Sequence, residues 1–382
     1  MQPRKLANLL SSWAYCLVGS TYAAYQVLIP RIITALGGST QAVSLLVASL
    51  FLGSVLTTLI SGEISEHYGK RTTLLIASSA LAVGCFLVFA ANHIWIAIAG
   101  LMLSGFGIGG TEGSTMSIVE DANPDNSDRV LCYVMALYGL GGFVVPLFVE
   151  KFTDGSTYKP VMLVFVILHI MTLVFTLLGK RVEEVCVYSG FKEGLTVSII
   201  WTNRTLLLSI IALAMFSGLE SGLTYYATEI FGLFGNVSAG SYAVSAYWLA
   251  AMCGSLIAGS IKNAVRYLPM MLTVGSICVA GVLLIPVIPV KIGIMLIIGV
   301  LLGPVYSLTT YLGGHSAPEN TGMAYAAMSF GASIGGVAFQ PLAAAAIGSF
   351  PVTAAYVLVI ILCLCDAALI RVIEKREDEE KR

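Results

Sequence analysis

Residues Gly62–Thr72 read Gly-Glu-Ile-Ser-Glu-His-Tyr-Gly-Lys-Arg-Thr and separate two strongly apolar runs of the chain. An acid, Glu66, lies between two glycines, and a basic pair follows the second glycine. The glycines allow a sharp turn and a close approach to a neighbouring helix, whose positive N-terminus a carboxylate can cap. The stretch therefore predicts a tight turn between two helices; the alternative is a basic loop that only sets membrane topology.

The composition around this stretch excludes a water-soluble protein. Of the 382 residues, 57% are hydrophobic and 11% are charged, and the mean hydropathy is +0.90. Soluble domains are about half apolar and a quarter charged. A hydrocarbon core of about 30 Å needs roughly 20 apolar helical residues per crossing, so twelve crossings occupy about 240 residues. Little chain remains for a soluble catalytic domain, and no enzyme is predicted.

Apolar runs between polar breaks predict twelve membrane helices. The runs are residues 6–36, 42–61, 73–91, 94–118, 130–148, 161–178, 206–231, 243–261, 269–286, 292–312, 322–347 and 354–372. The expected fold class is an all-α membrane protein with two pseudo-symmetric six-helix bundles. The first bundle is expected over residues 1–181 and the second over 202–382, joined by a cytoplasmic linker over 182–201.

Short motifs recur at corresponding positions of the two halves. In the fifth run Gly141 precedes Pro146 by five residues, as Gly336 precedes Pro341 in the eleventh. Parallel repeats of this kind are typical of transporters that bind a solute between their halves.

The basic residues predict the orientation of the chain. If the N-terminus is cytoplasmic, four of the 20 Lys and Arg residues lie outside, which leaves sixteen inside. The four are Arg31, Lys151, Lys159 and Lys291. Such an excess on one side indicates that both termini are cytoplasmic, in a multi-pass plasma-membrane protein.

The glycines, the acid and the basic pair of the turn fill the signature loop of the major facilitator superfamily, which this chain resembles. The resemblance implies a twelve-helix fold, alternating access and a cytoplasmic gate. The gate residues would be Gly62, Glu66, Gly69, Lys70 and Arg71.

Within that superfamily, Gly107–Glu112 resembles the glycine-rich run ending in glutamate of the fucose:proton symporter family. Phe216–Glu220 is similar to the Gly-x-Glu of the same family, and Tyr247-Trp248 is also similar. The resemblance implies that Glu112 handles sugar and proton. Met116 and Ser255 stand where that family has asparagine and arginine, so it does not specify fucose.

Two carboxylates lie well within the apolar runs, Glu112 and Glu220. A charged side chain at the bilayer centre costs about 2.5 kcal/mol or more, which makes intramembrane acids functional candidates. We predict that both couple transport to protons; the alternative for Glu112 is a structural hydrogen bond that never titrates. The other acids close to the ends of runs are expected to reach water. They are Glu120, Asp121, Glu150, Glu229 and Asp366.

A sugar site needs flat apolar faces and polar groups for hydroxyls. Several polar side chains fall one helical turn apart or interrupt an apolar run. The predicted substrate-binding residues are Tyr22, Gln26, Glu112, Glu220, Thr224, Tyr306 and Gln340. For the tyrosines, Trp248 and His169, packing is an equal alternative.

Together these observations predict a secondary transporter that moves a small polar solute, a monosaccharide, by alternating access with proton symport. The rival is a proton-coupled efflux antiporter for amphipathic drugs or metabolites. The expected partners are the solute, protons and the lipid bilayer, with sodium as an open alternative and the protein as a monomer. No nucleic acid, metal or cofactor is expected, because basic faces and metal-ligand spacing are absent from the sequence.

Overall fold

A computed structural model describes residues 2–37, 41–152, 157–187, 196–234, 237–349 and 351–380. Within the helices, some side chains lie outside the described part, among them those of Gln26, Glu150, Glu229 and Gln340. All regular elements in the described ranges are helical. This agrees with the prediction of an all-α membrane fold, because a segment in lipid must satisfy its backbone polar groups internally.

Most of the described helices follow one another with short connections. The helices are α1 (Pro3–Ala35), α2 (Gln41–Tyr68), α3 (Lys70–Ala90), α4 (Ile94–Ala122), α5 (Ser127–Phe152), α6 (Lys159–Leu178), α7 (Ile199–Thr202), α8 (Arg204–Tyr225), α9 (Ala227–Gly232), α10 (Val237–Ser260), α11 (Leu268–Leu284), α12 (Ile288–Leu302), α13 (Val305–His315), α14 (Thr321–Ser349) and α15 (Thr353–Glu380). A longer segment joins α6 to α7. Short 3-10 turns occur at Lys180–Glu184, Thr196–Ser198, Ala264–Tyr267 and Pro318–Asn320.

Eleven segments of the described chain are long and apolar enough to cross a membrane. Ten of the spans each draw on one long helix, and the span Ile288–His315 combines α12 and α13. The first helix is not among the eleven, although its 33 residues exceed the roughly 20 that a crossing needs.

The connection between α2 and α3 is shorter than the sequence suggested. Helix α2 continues to Tyr68 and α3 begins at Lys70, so most of Gly62–Thr72 is helical and only Gly69 lies between them. Gly69 has a φ of 92°, a conformation that L side chains rarely adopt. The sharp turn is therefore made by one glycine.

Two predicted spans are interrupted. The seventh, expected over 206–231, divides into α8 and the short α9, and the tenth divides into α12 and α13. Pro304 explains the second break, because a proline has no amide hydrogen for the carbonyl four residues earlier, at Val300. Gly254 of α10 packs directly against that carbonyl, where a methyl group would overlap it.

The described contacts divide the chain into two compact units. Unit 1 comprises Met1–Ser127, Leu140–Thr202 and Ala317–Phe330, and unit 2 comprises Asp128–Gly139, Asn203–Ser316 and Gly331–Arg382. Helices α5 and α14 thus contribute to both units. The division into bundles over 1–181 and 202–382 stays a prediction.

Several helices within each unit pack closely against one another. In unit 1, α4 packs against α2 and α3, and a methyl group at Gly105 would overlap the Leu50 carbonyl of α2. In unit 2, α10 packs against α12, and α8 against α13 and α15. Small residues at helix contacts are the usual means of close packing in membranes.

Candidate functional site

Glu66 of α2 caps the N-terminus of α14 inside unit 1. Its Oε1 accepts a hydrogen bond of 3.2 Å from the backbone amide of Met323, and the residue is only 2% exposed. The amides of a first helical turn have no intrahelical partner, so a carboxylate satisfies one of them and the helix dipole favours its charge. A role of this contact in gating stays a prediction.

Lys70 joins the end of α4 to the start of α14. Its Nζ pairs with the Asp121 carboxylate and donates to Thr321 Oγ1 at 2.5 Å. The Thr321 hydroxyl in turn donates to Asp121 Oδ1 at 2.9 Å, and the Val187 amide donates to Asp121 Oδ2 at 2.6 Å. Asp121 is thus a buried carboxylate with three donors.

A second acid at the end of α4 is satisfied in the same way. The Tyr325 hydroxyl of α14 donates to Glu120 Oε2 at 2.8 Å. The expectation that Glu120 and Asp121 reach water is therefore wrong, because both are buried under the first turn of α14. We call these contacts the Lys70 network. Its members are Glu66, Lys70, Glu120, Asp121, Thr321 and Tyr325.

Arg71, next to this network, caps another helix of unit 1. Its Nε donates to the Thr176 carbonyl at 2.8 Å and its Nη2 to the Leu177 carbonyl at 2.9 Å. Both carbonyls belong to the last turn of α6, where a carbonyl has no intrahelical amide from which to accept a hydrogen bond. Nη1 of Arg71 pairs with the Glu183 carboxylate at 3.0 Å. The basic pair therefore has two distinct structural tasks.

The predicted coupling residue Glu112 lies in the middle of α4 and is partly exposed. Among the described residues, no hydrogen bond reaches its carboxylate. The glycines beside it bring other segments close, since Gly109 approaches Ser54 of α2 and Gly113 approaches Ala326 of α14. Glu112 is therefore a membrane-embedded acid without a neutralising partner in the described part of unit 1.

Tyr22 of α1 belongs to the same unit and is partly exposed. Its ring lies edge-on to Phe51, with centroids 6.0 Å apart. Gln26, predicted one turn further along, has its side chain outside the described residues, as does Gln340. The substrate role of all three stays a prediction.

Glu220 of α8 has a single described donor. The Tyr247 hydroxyl of α10 donates to its Oε1 at 2.8 Å, and Tyr247 is fully buried. Thr224, predicted one turn away, donates its hydroxyl to the Glu220 backbone carbonyl at 2.9 Å. The Thr224 oxygen can still accept a hydrogen bond, while its proton is held by its own helix.

Aromatic rings pack against Tyr247, the donor to this acid, and against Phe216, one helical turn from it. Trp248 lies edge-on to Tyr247 at 5.5 Å and against Tyr138 of α5 at 6.4 Å. Tyr306 of α13 lies edge-on to Phe216, one turn before Glu220, at 6.5 Å. We call this cluster the Glu220 site. Its members are Tyr138, Phe216, Glu220, Tyr247, Trp248 and Tyr306.

Two charged residues near the ends of predicted spans are fully buried. Asp366 was expected to reach water, yet it is fully buried near the middle of the span Thr353–Arg376, so that expectation is wrong. Lys291, counted among the basic residues on the outer side, is fully buried in α12, and its side of the membrane stays a prediction. The Lys291 ammonium donates to the Val282 carbonyl at 2.5 Å and lies 3.1 Å from the Phe234 ring centre.

Among the described residues, no group of three or more His, Cys, Asp or Glu could hold a metal ion. The polar groups described inside the two units include acids and aromatic rings on helices, some of them bonded and some without a described partner.

These features define a multi-pass membrane protein with buried acids and a glycine-bounded turn between its second and third helices. A model of the Major Facilitator Superfamily matches residues 12–340, and the chain belongs to that superfamily. The family consists of transporters and not of enzymes, in agreement with the prediction that the chain is not an enzyme.

Curated relatives match parts of the chain. Sugar transport protein 2 of Arabidopsis thaliana is 35% identical over 69 residues, which are 18% of this chain and 14% of that protein. The glucose/mannose transporter GlcP of Bacillus subtilis is 21% identical over 255 residues, 64% of this chain and 63% of GlcP. The chain therefore spans less than two thirds of either relative.

Solved structures share the fold over nearly the whole chain. The E. coli fucose:proton symporter FucP superposes with a TM-score of 0.75 at 12% identity, covering 97% of this chain and 99% of FucP. The human organic anion transporter MFSD10 gives a TM-score of 0.78 at 13% identity, covering 97% and 100%. At such low identity the likeness establishes the fold alone.

Proposed function

We propose that this protein moves a small polar solute, a monosaccharide, across the plasma membrane by alternating access with proton symport. The observation that carries the proposal is the partly buried carboxyl of Glu220, hydrogen-bonded to Tyr247, whose ring packs against Trp248. Aromatic faces suit the C–H groups of a sugar ring, and carboxyl and hydroxyl groups suit its hydroxyls. The sugar-transport names of the relatives support the same substrate class.

The solute would contact polar groups on several helices. The proposed substrate-binding residues are Tyr22, Gln26, Glu112, Glu220, Thr224, Tyr306 and Gln340, to which the structure adds Tyr247 and Trp248 as candidates. Binding would precede rocking of the two predicted bundles, with both termini in the cytoplasm.

Glu112 and Glu220 are proposed to carry the coupling proton. A carboxyl in the membrane interior without a counter-charge favours its neutral form, and it becomes charged when water or a cation reaches it. Glu112, without a donor among the described residues, is the stronger candidate. Taking up a proton on one side and losing it on the other would link solute movement to the proton gradient.

The turn residues Gly62, Glu66, Gly69, Lys70 and Arg71 are proposed to close the cytoplasmic gate. Their contacts with α6 and α14 support this role, because opening a cytoplasmic path past α14 would have to release Glu66 and Lys70.

The test is uptake of a panel of radiolabelled monosaccharides into proteoliposomes under an imposed pH gradient, with a sodium gradient as the control for the coupling ion. At least one sugar should accumulate with the pH gradient alone. Glu112→Gln should abolish accumulation while leaving sugar exchange intact, because exchange needs no net proton release. Glu184→Gln, an exposed carboxylate with 52% side-chain exposure, is the matched control. Gradient-driven accumulation by Glu112→Gln at the wild-type level would refute the coupling role.

The rival, an efflux antiporter for amphipathic compounds, is favoured by the apolar rings of the Glu220 site. Phe216, Trp248 and Tyr306 could hold a flat amphipathic molecule. Including fluorescent amphipathic dyes in the panel separates the two. Proton-driven extrusion of a dye, with no sugar accumulated, would decide for the rival.

A further inference from the structure

Asp366 lies on the face of α15 that is buried in unit 2. Tyr356, Val359, Cys363 and Ile370 share this face at helical spacing and are all fully buried. Helix α15 packs against α8 and α11. The carboxyl therefore lies on the face of α15 that is buried within unit 2, well inside a membrane span.

Neither oxygen of this carboxyl has a hydrogen-bond partner in the described part of the chain. Among the described residues, no hydrogen-bond donor reaches Asp366 Oδ1 or Oδ2, and no cation pairs with it. Asp121 in unit 1, by contrast, has a lysine, a threonine and a backbone amide. Asp366 is thus a buried acid without a described partner, whereas the buried side chain of Asp121 is satisfied.

The titratable groups on the neighbouring helices do not supply a charge. On α8, Glu220 is bonded to Tyr247 and Arg204 is exposed at the start of the helix. On α11 the described titratable group is Cys278, a neutral thiol. On α15 itself, Arg371 is exposed.

Near Asp366 on its own helix, Cys363 is a neutral thiol one turn away. The Tyr356 hydroxyl, further along the same face, donates to the Leu223 carbonyl at 3.0 Å. Neither group can neutralise a carboxylate at Asp366.

A carboxylate in this setting is unfavourable, since burial without a counter-charge or donor destabilises the ionised form. A proton removes the charge and gives the group an O–H donor. Surrounding backbone carbonyls of a membrane helix can accept from such a donor.

We propose that Asp366 is a proton-binding site of unit 2, distinct from Glu112 and Glu220, and that the site is occupied in this conformation. The ligand is a proton rather than a metal ion, because the described surroundings offer no set of charged oxygens. The site exchanges its proton only when water reaches the interface of α8, α11 and α15.

Infrared spectroscopy of the lipid-reconstituted protein at neutral pH tests the site without substrate or gradient. The carbonyl stretch of a protonated carboxyl is resolved from that of a carboxylate. Asp366→Asn should remove one protonated-carboxyl component, while Asp125→Asn, an exposed aspartate in the turn after α4, should leave the band unchanged. A spectrum of Asp366→Asn with every protonated component retained would overturn the proposal.

A second measurement covers the case in which Asp366→Asn fails to fold. Wild-type protein with isotope-labelled aspartate carboxyls should show an isotope shift in the protonated-carboxyl band. If no labelled aspartate contributes to that band, Asp366 is ionised and the proposal is wrong. Because neither reading depends on uptake, failure of sugar transport leaves this result interpretable.

Discussion

The carboxylates of the Lys70 network and those of unit 2 differ in the number of hydrogen-bond donors that they receive. In the network, Asp121 receives a lysine, a hydroxyl and an amide, and Glu120 and Glu66 each receive a donor from α14. In unit 2, Glu220 has one described donor and Asp366 has none. Fully bonded acids hold helices in register, whereas acids with few partners can change protonation state.

The difference follows from where each acid lies along its helix. The acids of the network lie near helix ends, where Glu66 accepts from an unpaired amide at the start of α14 and side chains from the start of α14 donate to Glu120 and Asp121. Glu220 and Asp366 lie in helix interiors, where backbone groups are already bonded and only a side chain can serve them. Burying a polar group without a hydrogen bond costs free energy, so Asp366, which has no described donor, is less favourable as a carboxylate than the bonded acids of the network.

The largest expected effect is from Lys70→Met, which removes the cation of the network at nearly constant volume. Asp121 would keep its carboxylate with the ion pair lost, and breaking a buried pair costs about 3–5 kcal/mol. Thermal unfolding in detergent should show a large loss of stability, and Lys70→Met combined with Asp121→Asn should recover much of it. Arg181→Met is the control, because the Arg181–Glu184 pair is exposed and worth about 0–1 kcal/mol. Equal unfolding temperatures for Lys70→Met and Arg181→Met would show that the buried Lys70–Asp121 pair stabilises the protein no more than the exposed pair does.

A smaller effect is expected from Tyr247→Phe, which removes the described donor of Glu220. Leaving a buried acceptor unsatisfied costs about 1–3 kcal/mol. A double-mutant cycle with Glu220→Gln isolates the interaction between the two side chains. Tyr242→Phe on the same helix is the control, since Tyr242 is 70% exposed and should change stability by less than about 0.5 kcal/mol. A coupling energy near zero would mean that the hydrogen bond between Tyr247 and Glu220 does not stabilise the protein.

The smallest effect is expected from Arg71→Lys. The lysine keeps the charge but loses the forked contact with the Thr176 and Leu177 carbonyls, for about 0.5–1.5 kcal/mol. Arg129→Lys in unit 2 is the comparison, because Arg129 donates from its Nε to the Gly259 carbonyl at 2.8 Å. Unfolding measurements should rank Arg71→Lys above Arg129→Lys, and the reverse order would argue against helix capping as the task of Arg71.

The membrane fold was predictable because hydropathy and glycine placement are local signals. The sharp turn between the second and third helices was predictable from its glycines, of which Gly69 makes the turn. The break in the tenth span was not predicted, although Gly303-Pro304 is a local signal for it. The acid between two glycines in Gly62–Thr72 also indicated that a carboxylate could cap a neighbouring helix, as Glu66 does for α14.

The candidate site was harder to predict because its contacts join residues that are distant in sequence. Asp121 looked like a surface acid at the end of a run, and its burial depends on Thr321, two hundred residues later. Hydropathy ends the last run at residue 372, which put Asp366 near water, whereas the helix continues to Glu380. No periodicity reports that Tyr247 bonds Glu220, since the pairing depends on how α8 and α10 are rotated.

The break between α12 and α13 explains why residue 254, within helix α10, is a glycine. Pro304 deprives the Val300 carbonyl of its usual amide, and the surface that this oxygen faces is the backbone of Gly254. A C–H group of glycine can act there as a weak donor where no N–H is available. Gly254 and Pro304, fifty residues apart in the chain, are therefore a matched pair. Replacing Pro304 would restore an amide for the Val300 carbonyl, whereas a side chain at Gly254 would force the two backbones apart.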